Sequence, residues 1–204
     1  MLSAVKHFEI RVAQSQEELL GIYRLRYDIY VKEMARMQHY ADTARRVIED
    51  PLDSAGINLY AIAGEDVIGT IRNNAAADGS VGPYEDFYDM RAAGADHPAR
   101  TSITTRLMIA PQYRRGTLAV RLAMASFRMG VGRDVRWNYI DCNCHLVEFF
   151  RGLGWVEHLP VAEHPEYGLV HRMRLDLTDR QHLVTVGSPF ARLLEPRGAT
   201  AARC

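Results

Sequence analysis

The sequence predicts an α/β domain with a mixed central sheet and helices on both faces. Short apolar stretches of strand length alternate with longer amphipathic stretches, a helix-capping motif precedes the first amphipathic stretch, and a cationic turn joins a central strand to a helix. The resulting order is strand, helix, hairpin, strand, helix, strand, helix, strand. Segments in this order are typical of a sheet that helices cover on both faces.

The first half of the chain contains a strand, a helix and a hairpin. Residues 8 to 12 alternate between apolar and polar side chains, which predicts a strand. Ser15 and Glu18 form a capping box, which predicts a helix that begins there. Residues 31 to 58 lack clear periodicity, and a loop of this length in a compact domain is often functional. Residues 59 to 72 predict a hairpin because a Gly-Glu-Asp turn separates two apolar stretches.

The second half contains the central unit of the sheet. Residues 74 to 100 are rich in Ala, Gly, Asp and Pro and predict a mobile excursion. Residues 104 to 155 follow the pattern strand, turn, helix, strand, helix, and residues 167 to 177 alternate like a late strand. The chain from Pro189 is expected to fray. We therefore expect a single domain over residues 1 to 190 and a flexible tail over residues 191 to 204.

Composition excludes several classes of protein. The 204 residues fit one domain, and 25 Lys and Arg residues balance 25 Asp and Glu residues, so no net charge favours nucleic acid. The chain has no apolar run of the ~20 residues that span a bilayer, and no signal peptide is recognisable. Three cysteines do not make a disulfide framework, which fits a reducing cytoplasm. The Cys-x-Cys at Cys142 and Cys144 lacks a second ligand pair, so we expect no metal site.

A cationic turn lies between the central strand and the next helix. A turn that enters a helix presents unpaired backbone N–H groups and the positive end of the helix dipole, and arginine side chains add donors suited to phosphate oxygens. The chain has no Gly-x-x-x-x-Gly-Lys-Ser/Thr motif, so this turn predicts binding of a phosphorylated carrier instead of phosphoryl transfer. The predicted phosphate ligands are Arg114, Arg115 and the amides of Gly116, Thr117, Leu118 and Ala119.

This turn and the second helix together resemble the GNAT acyltransferase superfamily. The matching pattern is Arg114-x-x-Thr117-x-Ala119 followed by Asn143-x-x-Leu146-x-x-x-Phe150-x-x-x-Gly154-Trp155. Thr117 departs from the usual glycine, and Phe150 stands where a tyrosine often protonates the leaving thiolate. The resemblance implies a sheet whose central strands splay, with a free backbone N–H near Met108 and Ile109 as the oxyanion donor. It also implies that Ile109, Asn143 and Phe150 contribute to binding the thioester carrier.

A narrower resemblance covers most of residues 22 to 188. Its motifs are Arg26-Tyr27-Asp28-Ile29-Tyr30, Tyr30-Val31-Lys32-Glu33-Met34, Asp50-Pro51-Leu52-Asp53, Gly69-Thr70-Ile71-Arg72 and Glu166-Tyr167-Gly168. These segments resemble the acyl-homoserine-lactone synthases and, more closely, the long-chain N-acyl amino acid synthases of the FeeM type. The resemblance implies an amino acid acceptor and an acyl thioester of acyl carrier protein or of CoA as co-substrate, with no permanently bound cofactor.

The acceptor pocket and the general base remain open at the sequence level. Arg72 and Arg106 lie in apolar strands, where an unpaired charge is costly, and Asp50 and Asp53 are available as partners. These residues form a charged pocket for the acceptor carboxylate, a salt-bridge network that packs the loop onto the sheet, or both. The candidate bases are Glu33, Asp50, Asp53 and His164, and a water chain can also serve.

Several alternatives accompany the N-acyl amino acid synthase hypothesis. Acyl-homoserine-lactone synthesis would use S-adenosylmethionine as acceptor, but the chain lacks the glutamate expected just before Arg106. The others are acetylation of a small amine from acetyl-CoA and a carrier-binding module without turnover. An acidic carrier protein could dock on a local basic face, although the same arginines could simply be solvated. That face would comprise Arg114, Arg115, Arg121, Arg128 and Arg133.

Overall fold

The computed structural model describes residues 7 to 195. In chain order the strands are β1 (Glu9–Val12), β2 (Ala41–Asp42), β3 (Val47–Ile48), β4 (Ile57–Ala63), β5 (Asp66–Ala75), β6 (Thr101–Ile109), β7 (Trp137–Cys142), β8 (Val156–His164) and β9 (Gly168–Asp176). Seven of them form one sheet in the order β1-β4-β5-β6-β7-β9-β8, and β2 pairs separately with β3. The β6–β7 pair is parallel and the other pairs are antiparallel, so the sheet is mixed.

Helices cover both faces of this sheet. The α-helices are α1 (Gln16–Tyr27), α2 (Tyr84–Phe87), α3 (Leu118–Gly132), α4 (Val147–Leu153) and α5 (Arg180–Thr185), and a π-helix (Asp28–Glu33) continues α1. Arg72 of β5 binds Asp53, which also pairs with Arg26 of α1, whereas its neighbour Asn73 donates from Nδ2 to the Ser126 hydroxyl of α3 at 3.5 Å. Because successive strand residues point to opposite faces, α1 and α3 lie on opposite sides of the sheet. The predicted fold class is confirmed.

The two central strands separate along their length. β6 and β7 pair in parallel from Thr101 with Trp137 to Ile103 with Tyr139, and no pair follows although both strands continue. The divergence opens a wedge between residues 104 to 109 of β6 and residues 140 to 142 of β7, which we call the cleft. The splay implied by the superfamily resemblance is therefore present, and backbone groups facing the cleft are not used by strand pairing between β6 and β7.

A bulge interrupts β6 where the cleft begins. Thr70 pairs with Met108 but Arg72 pairs with Thr105, so β6 carries one more residue than β5 across this interval. Arg106 lies in the bulge with a φ of 59°, a left-handed conformation that costs a non-glycine residue roughly 1 kcal/mol. Bulges redirect a side chain and increase the local twist, and this one directs Arg106 toward buried acids described below.

Several segments are more ordered than the sequence predicted. The aperiodic region 31 to 58 contains β2, β3 and a 3-10 helix (Pro51–Asp53). Residues 74 to 100 were expected to form a mobile excursion, but they pack Val81, Tyr88 and Met90 into a core cluster with Ile103 and Tyr139. Their Ala- and Gly-rich composition hides these few large apolar side chains, which anchor the segment.

The strand β8 and the helix α5 were not predicted. β8 carries mostly exposed or half-buried side chains because it lies at the edge of the sheet, so it lacks the alternation that identifies a half-buried strand.

The segment from Pro189, expected to fray, forms a 3-10 helix to Leu194 in which Phe190 is fully buried. Residues 196 to 204 of the predicted tail lie outside the described residues, and the division into one domain and a flexible tail stays a prediction. Within residues 7 to 195, no helix has both the length and the apolar composition that spanning a membrane requires.

Candidate active site

The mouth of the cleft lies beside the start of α3. β6 leads into a 3-10 helix (Pro111–Tyr113) and an exposed turn before α3 begins at Leu118, as the cationic-turn motif predicted. No side-chain hydrogen bond caps α3 at Thr117, so the first N–H groups of this 15-residue helix have no side-chain acceptor among residues 7 to 195. Gly116 donates its N–H to the carbonyl oxygen of Tyr113 at 3.3 Å. The backbone of Thr117 to Ala119, which we call the cradle, lies next to the ends of β6 and β7 and is suited to binding an anion.

The two arginines of this turn behave differently. Arg114 donates from Nη1 and Nη2 to the carboxylate of Glu33 at 2.5 and 2.7 Å, and from Nε to the carbonyl oxygen of Ile109 at 2.9 Å. The hydrogen bond from Arg114 lowers the pKa of Glu33, so this carboxylate is a poor base in this arrangement. Arg115 is exposed and forms no hydrogen bond or ion pair with residues 7 to 195, which leaves its guanidinium free for an anion.

The backbone N–H of Ile109, at the end of β6, points into the cleft. Ala110 donates its N–H to the carbonyl of Ile68 at 2.9 Å, which continues the ladder with β5. In an antiparallel ladder alternate residues direct their N–H and C=O groups to the partner strand. Met108 therefore faces β5, whereas Ile109 directs its polar backbone groups away from β5. The hydrogen bond from Arg114 to the Ile109 carbonyl agrees with this orientation.

A buried ion network lies on the α1 face of the sheet. It contains three arginines and two aspartates, each at most 8% exposed, which are Arg26, Arg72, Arg106, Asp50 and Asp53. Arg72 contacts Asp50 and Asp53 at 2.5 and 3.0 Å. Arg26 contacts Asp53 at 2.8 Å, and Arg106 donates to Asp50 from Nε and Nη2 at 3.2 and 2.8 Å. The network joins α1, the 3-10 helix at Pro51–Asp53, β5 and β6, as the structural alternative predicted.

This network leaves little room for Asp50, Asp53 or Arg72 to touch a substrate. Burial alone would raise the pKa of Asp50, but Arg72 and Arg106 outweigh burial and hold its pKa below the ordinary value. A carboxylate held in this way is a weak proton acceptor. Arg72 is inaccessible to solvent, and its position fits a structural role.

Arg106 is the member of the network that reaches the cleft. Its Nη1 contacts two uncharged groups, the Gln38 side-chain oxygen at 3.1 Å and the Tyr167 hydroxyl at 2.5 Å. Its guanidinium lies 5.5 Å from the ring centre of Tyr30. A substrate carboxylate could replace a neutral partner of Nη1 without breaking the ion pair with Asp50, so the structural role of Arg106 does not exclude the acceptor role that the sequence also left open.

An aromatic wall borders the α1 face of the cleft, and the sequence did not predict it. We apply this name to Tyr30, Tyr84, Tyr88, His164 and Tyr167. The rings of Tyr30 and Tyr167 are 5.5 Å apart, His164 stacks on Tyr167 at 4.3 Å, and Tyr84 stacks on Tyr88 at 5.5 Å. The five residues come from three distant segments, so no local spacing could indicate that they meet.

Asn143 contacts the segment that carries Tyr167, whereas Phe150 lies in the hydrophobic core. Asn143 donates to the carbonyl oxygens of Tyr167 and Leu169 at 2.9 and 3.1 Å and accepts from Arg36 Nη2 at 3.3 Å. It therefore ties the β8–β9 turn to the loop after the π-helix. Phe150 is buried against Trp155, with ring centres 5.6 Å apart, and belongs to the core between the sheet and α4.

Arg36 is a candidate ligand that sequence reasoning missed. Its guanidinium lies 5.5 Å from the ring centre of Tyr167 and is half-buried. No ion pair joins it to an acid within the described part of the chain, in contrast to Arg106 with Asp50 and Arg114 with Glu33. A half-buried arginine without an acidic partner next to the cleft is suited to an anionic substrate group.

Comparisons with known proteins agree on family and fold. Residues 21–176 match the family model described as N-acyl amino acid synthase FeeM. The structure of FeeM, from uncultured soil microbes, superposes with a TM-score of 0.70 at 13% identity and covers 93% of this chain and 99% of that chain. No curated protein sequence matches.

Two further structures share the fold. BjaI, a CoA-dependent acyl-homoserine lactone synthase whose structure contains SAM and isopentyl-CoA, has a TM-score of 0.70 at 17% identity, with 90% of this chain and 91% of that chain covered. A putative N-acetyltransferase from Lactobacillus plantarum has a TM-score of 0.62 at 14% identity, with 83% and 98% covered. At these identities the likeness shows the fold alone.

Proposed function

From the premise that this chain belongs to the N-acyl amino acid synthase FeeM family and is an N-acyltransferase, we propose that its cleft joins a fatty acyl group to the amine of an amino acid. The acyl donor is a phosphopantetheine thioester, carried by acyl carrier protein or by CoA. The observation that best supports this assignment is the divergence of β6 and β7 beside the uncapped start of α3. It provides an open slot for the thioester next to a cradle for its phosphate.

The donor lies in the cleft with its phosphate at the cradle. The N–H groups at the start of α3 and the free guanidinium of Arg115 bind phosphate oxygens. The Ile109 N–H then receives the carbonyl oxygen as it gains negative charge in the tetrahedral intermediate. Arg114 fixes the backbone of Ile109 through its carbonyl, so its role in donor binding is indirect. Glu33 holds Arg114 in place.

The acceptor approaches from the α1 face of the sheet. Arg36 and Arg106 flank Tyr167, one over its ring and the other at its hydroxyl. We assign the acceptor carboxylate to this pair of guanidinium groups, with Arg36 as the cation that lacks an acidic partner among residues 7 to 195. Placing the carboxylate there directs the neighbouring amine of an α-amino acid toward the cleft.

Acyl carrier protein is the donor that the surface of α3 favours. Arg121 and Arg128 are exposed one heptad apart on α3, and Arg115 lies just before the helix. None of the three forms an ion pair with an acid in the described chain, whereas Arg114 pairs with Glu33 and Arg133 with Asp78. Unpaired basic residues beside the cradle match the acidic surface of a carrier protein.

Product analysis tests this function directly. Purified protein is supplied with long-chain acyl thioesters of acyl carrier protein and of CoA, together with the standard amino acids, and the products are identified by mass spectrometry. We expect N-acyl amino acids. The variants Arg36→Gln and Arg106→Gln should raise KM for the amino acid, while Arg24→Gln, an exposed change on α1, should leave it unchanged.

The structural likeness to BjaI makes acyl-homoserine-lactone synthesis the second candidate. S-adenosylmethionine is therefore included as an acceptor in a parallel reaction. Formation of acyl homoserine lactones with no N-acyl amino acid would replace the proposed function by this one. Turnover of acetyl-CoA with simple amines, and of no long-chain donor, would instead indicate a small-amine acetyltransferase.

A further inference from the structure

Asp141 borders the cleft and has no ion-pair partner among residues 7 to 195. It lies on β7 two residues beyond Tyr139, the last residue that pairs with β6, so it borders the cleft. Its Oδ1 accepts a hydrogen bond from the Tyr88 hydroxyl at 2.5 Å. Asp50 and Asp53 are each bound by arginines, but no arginine, lysine or histidine in residues 7 to 195 forms an ion pair with Asp141. Its carboxylate is therefore not neutralised by an ion pair with a positively charged side chain.

The side chain of Asp141 points toward the proposed acceptor site. Tyr139 packs with Tyr88 on the face of the sheet that carries the aromatic wall, and residues two apart on a strand share a face. Asp141 therefore shares this face with Tyr139, and its bond to Tyr88 agrees. The acyl donor in the cleft and the acceptor amine on this face would meet beside its carboxylate.

The groups that surround Asp141 come from every element packed against it. They are Tyr84 and Tyr88 of the α2 segment, His164 of β8, Arg106 of β6, Arg172 of β9 and Tyr167 of the β8–β9 turn. Arg172 is its strand partner, but its guanidinium donates to the carbonyl oxygens of Phe87 and Pro160 at 2.8 to 3.0 Å. Burial raises the pKa of Asp141, and the Tyr88 hydrogen bond offsets only part of this effect.

The contacts of His164 favour the uncharged ring. Its Nδ1 accepts the backbone N–H of Glu166 at 3.1 Å, which assigns its proton to Nε2. Burial lowers the pKa of His164 and outweighs the opposing effect of the Asp141 carboxylate. An imidazole whose Nδ1 is already occupied in this way is a donor, so the carboxylate of Asp141 is the better proton acceptor at the cleft.

We propose that Asp141 accepts the proton of the attacking amine and that Tyr88 positions its carboxylate, an assignment that rests on the proposed function. The neutral amine nitrogen attacks the thioester carbonyl carbon, the C–N bond forms, and the electron pair of the C=O bond moves to the oxygen at the Ile109 N–H. The nitrogen proton passes to Asp141. The oxyanion then restores the C=O bond, the C–S bond breaks, and the thiolate takes the proton from Asp141.

In this route one carboxyl group serves first as the base and then as the acid. Attack makes the nitrogen positively charged and its N–H acidic, so a carboxylate suffices as base even though it could not deprotonate a free ammonium group efficiently. The same carboxylic acid then supplies the proton for the thiolate. The position in which the superfamily often has a tyrosine acid is Phe150, which is buried in the core and cannot donate a proton, so Asp141 would take over that role.

Steady-state kinetics as a function of pH test the assignment. The wild type is compared with Asp141→Asn, Tyr88→Phe and the exposed control Asp66→Asn, with an acyl-CoA donor and the best amino acid acceptor at saturation. We expect Asp141→Asn to lower kcat by about 100-fold or more and to remove the lower-pH step of the acidic limb of its pH profile, whereas the step from deprotonation of the acceptor ammonium group remains, with KM for the donor unchanged. Tyr88→Phe should move the lower-pH step to higher pH because the carboxylate loses a stabilising donor. Asp66→Asn should match the wild type.

The outcomes separate this inference from the proposed function. A wild-type enzyme that forms amide, together with an Asp141→Asn variant that retains its kcat and the lower-pH step, overturns the role of Asp141 alone. A wild type that forms no amide overturns both. If Asp141→Asn fails to fold by circular dichroism, the Tyr88→Phe profile decides, since a Tyr88 that acts only in packing leaves the lower-pH step where it is.

Discussion

Arg114 donates a hydrogen bond from Nε to the carbonyl oxygen of Ile109 at 2.9 Å, while its two Nη atoms hold the Glu33 carboxylate. One side chain thus links the end of β6, the start of the cradle and the π-helix that continues α1. The sequence pattern marks Arg114 and Arg115 as equivalent phosphate ligands. Their contacts differ, because Arg114 binds Ile109 and Glu33 whereas Arg115 has no partner among residues 7 to 195.

Substituting the two arginines separately should show this difference. Arg114→Gln loses its half-exposed ion pair and its hydrogen bond to Ile109, so we expect a destabilisation of about 1 kcal/mol and a reduced kcat. Arg115→Gln should raise KM for the donor severalfold with no change in Tm. Thermal unfolding and kinetics with one acyl-CoA measure both effects. A lower Tm for Arg115→Gln, or an unchanged Tm for Arg114→Gln, would contradict the division of roles.

The buried network should dominate the stability of the α1 face. Arg72→Met leaves Asp50 and Asp53 short of a cation in a buried setting, so we expect a loss of about 3–5 kcal/mol in the free energy of unfolding. Urea unfolding followed by circular dichroism measures it. Arg91→Met is the matched control because Arg91 makes exposed ion pairs with Glu85 and Asp86, and it should cost less than about 1 kcal/mol. Similar losses for the two variants would refute the structural role of Arg72.

The arginine–aspartate pairing was predictable, whereas the aromatic wall was not. A charge within an apolar strand requires a partner, and the acids at Asp50 and Asp53 were the candidates that the long loop supplied. The capping box at Ser15 and the splay of the central strands also follow from local or family patterns. Contacts such as His164 with Tyr167 depend on the path of the edge strand β8, which has too little burial to show a periodic pattern.

The low pKa of Asp50 should make the protein acid-sensitive. Since the folded pKa lies below the unfolded value of about 3.9, this group adds stability above that pH, and the contribution disappears as pH falls through the folded pKa. Urea unfolding should show that the free energy of unfolding declines as the pH falls below about 5. This decline should be shallower in Asp50→Asn, although the variant should be less stable than the wild type above about pH 5. Asp66→Asn, at an exposed site, should keep the wild-type slope. Parallel curves for all three proteins would argue against this origin of acid sensitivity.

Burial should protect Cys142 from alkylation while Cys144 reacts. Burial raises the pKa of Cys142 to about 12, and its Sγ lies 3.7 Å from Met173 Sδ in the core. At about pH 8 its thiolate is scarce as well as inaccessible, and the thiolate is the reactive form. In a Cys204→Ser background, iodoacetamide and peptide mass spectrometry should find label at Cys144 in the native protein and at both sites in urea. Equal labelling of the native protein would show that β7 opens readily.

The unpaired arginines of α3 should affect one donor and spare the other. Arg121→Glu with Arg128→Glu replaces two exposed positive charges by negative ones, and repulsion of an acidic carrier should lower kcat/KM for acyl carrier protein donors at least tenfold. Acyl-CoA lacks the protein surface, so its kcat/KM should remain within about twofold. Arg121 also lies 4.5 Å from the ring centre of Phe8, and the single variant Arg128→Glu separates docking from this contact. Arg24→Glu on α1 controls for net charge. Equal losses with both donors would assign these arginines to the fold or to phosphate binding and exclude carrier docking on α3.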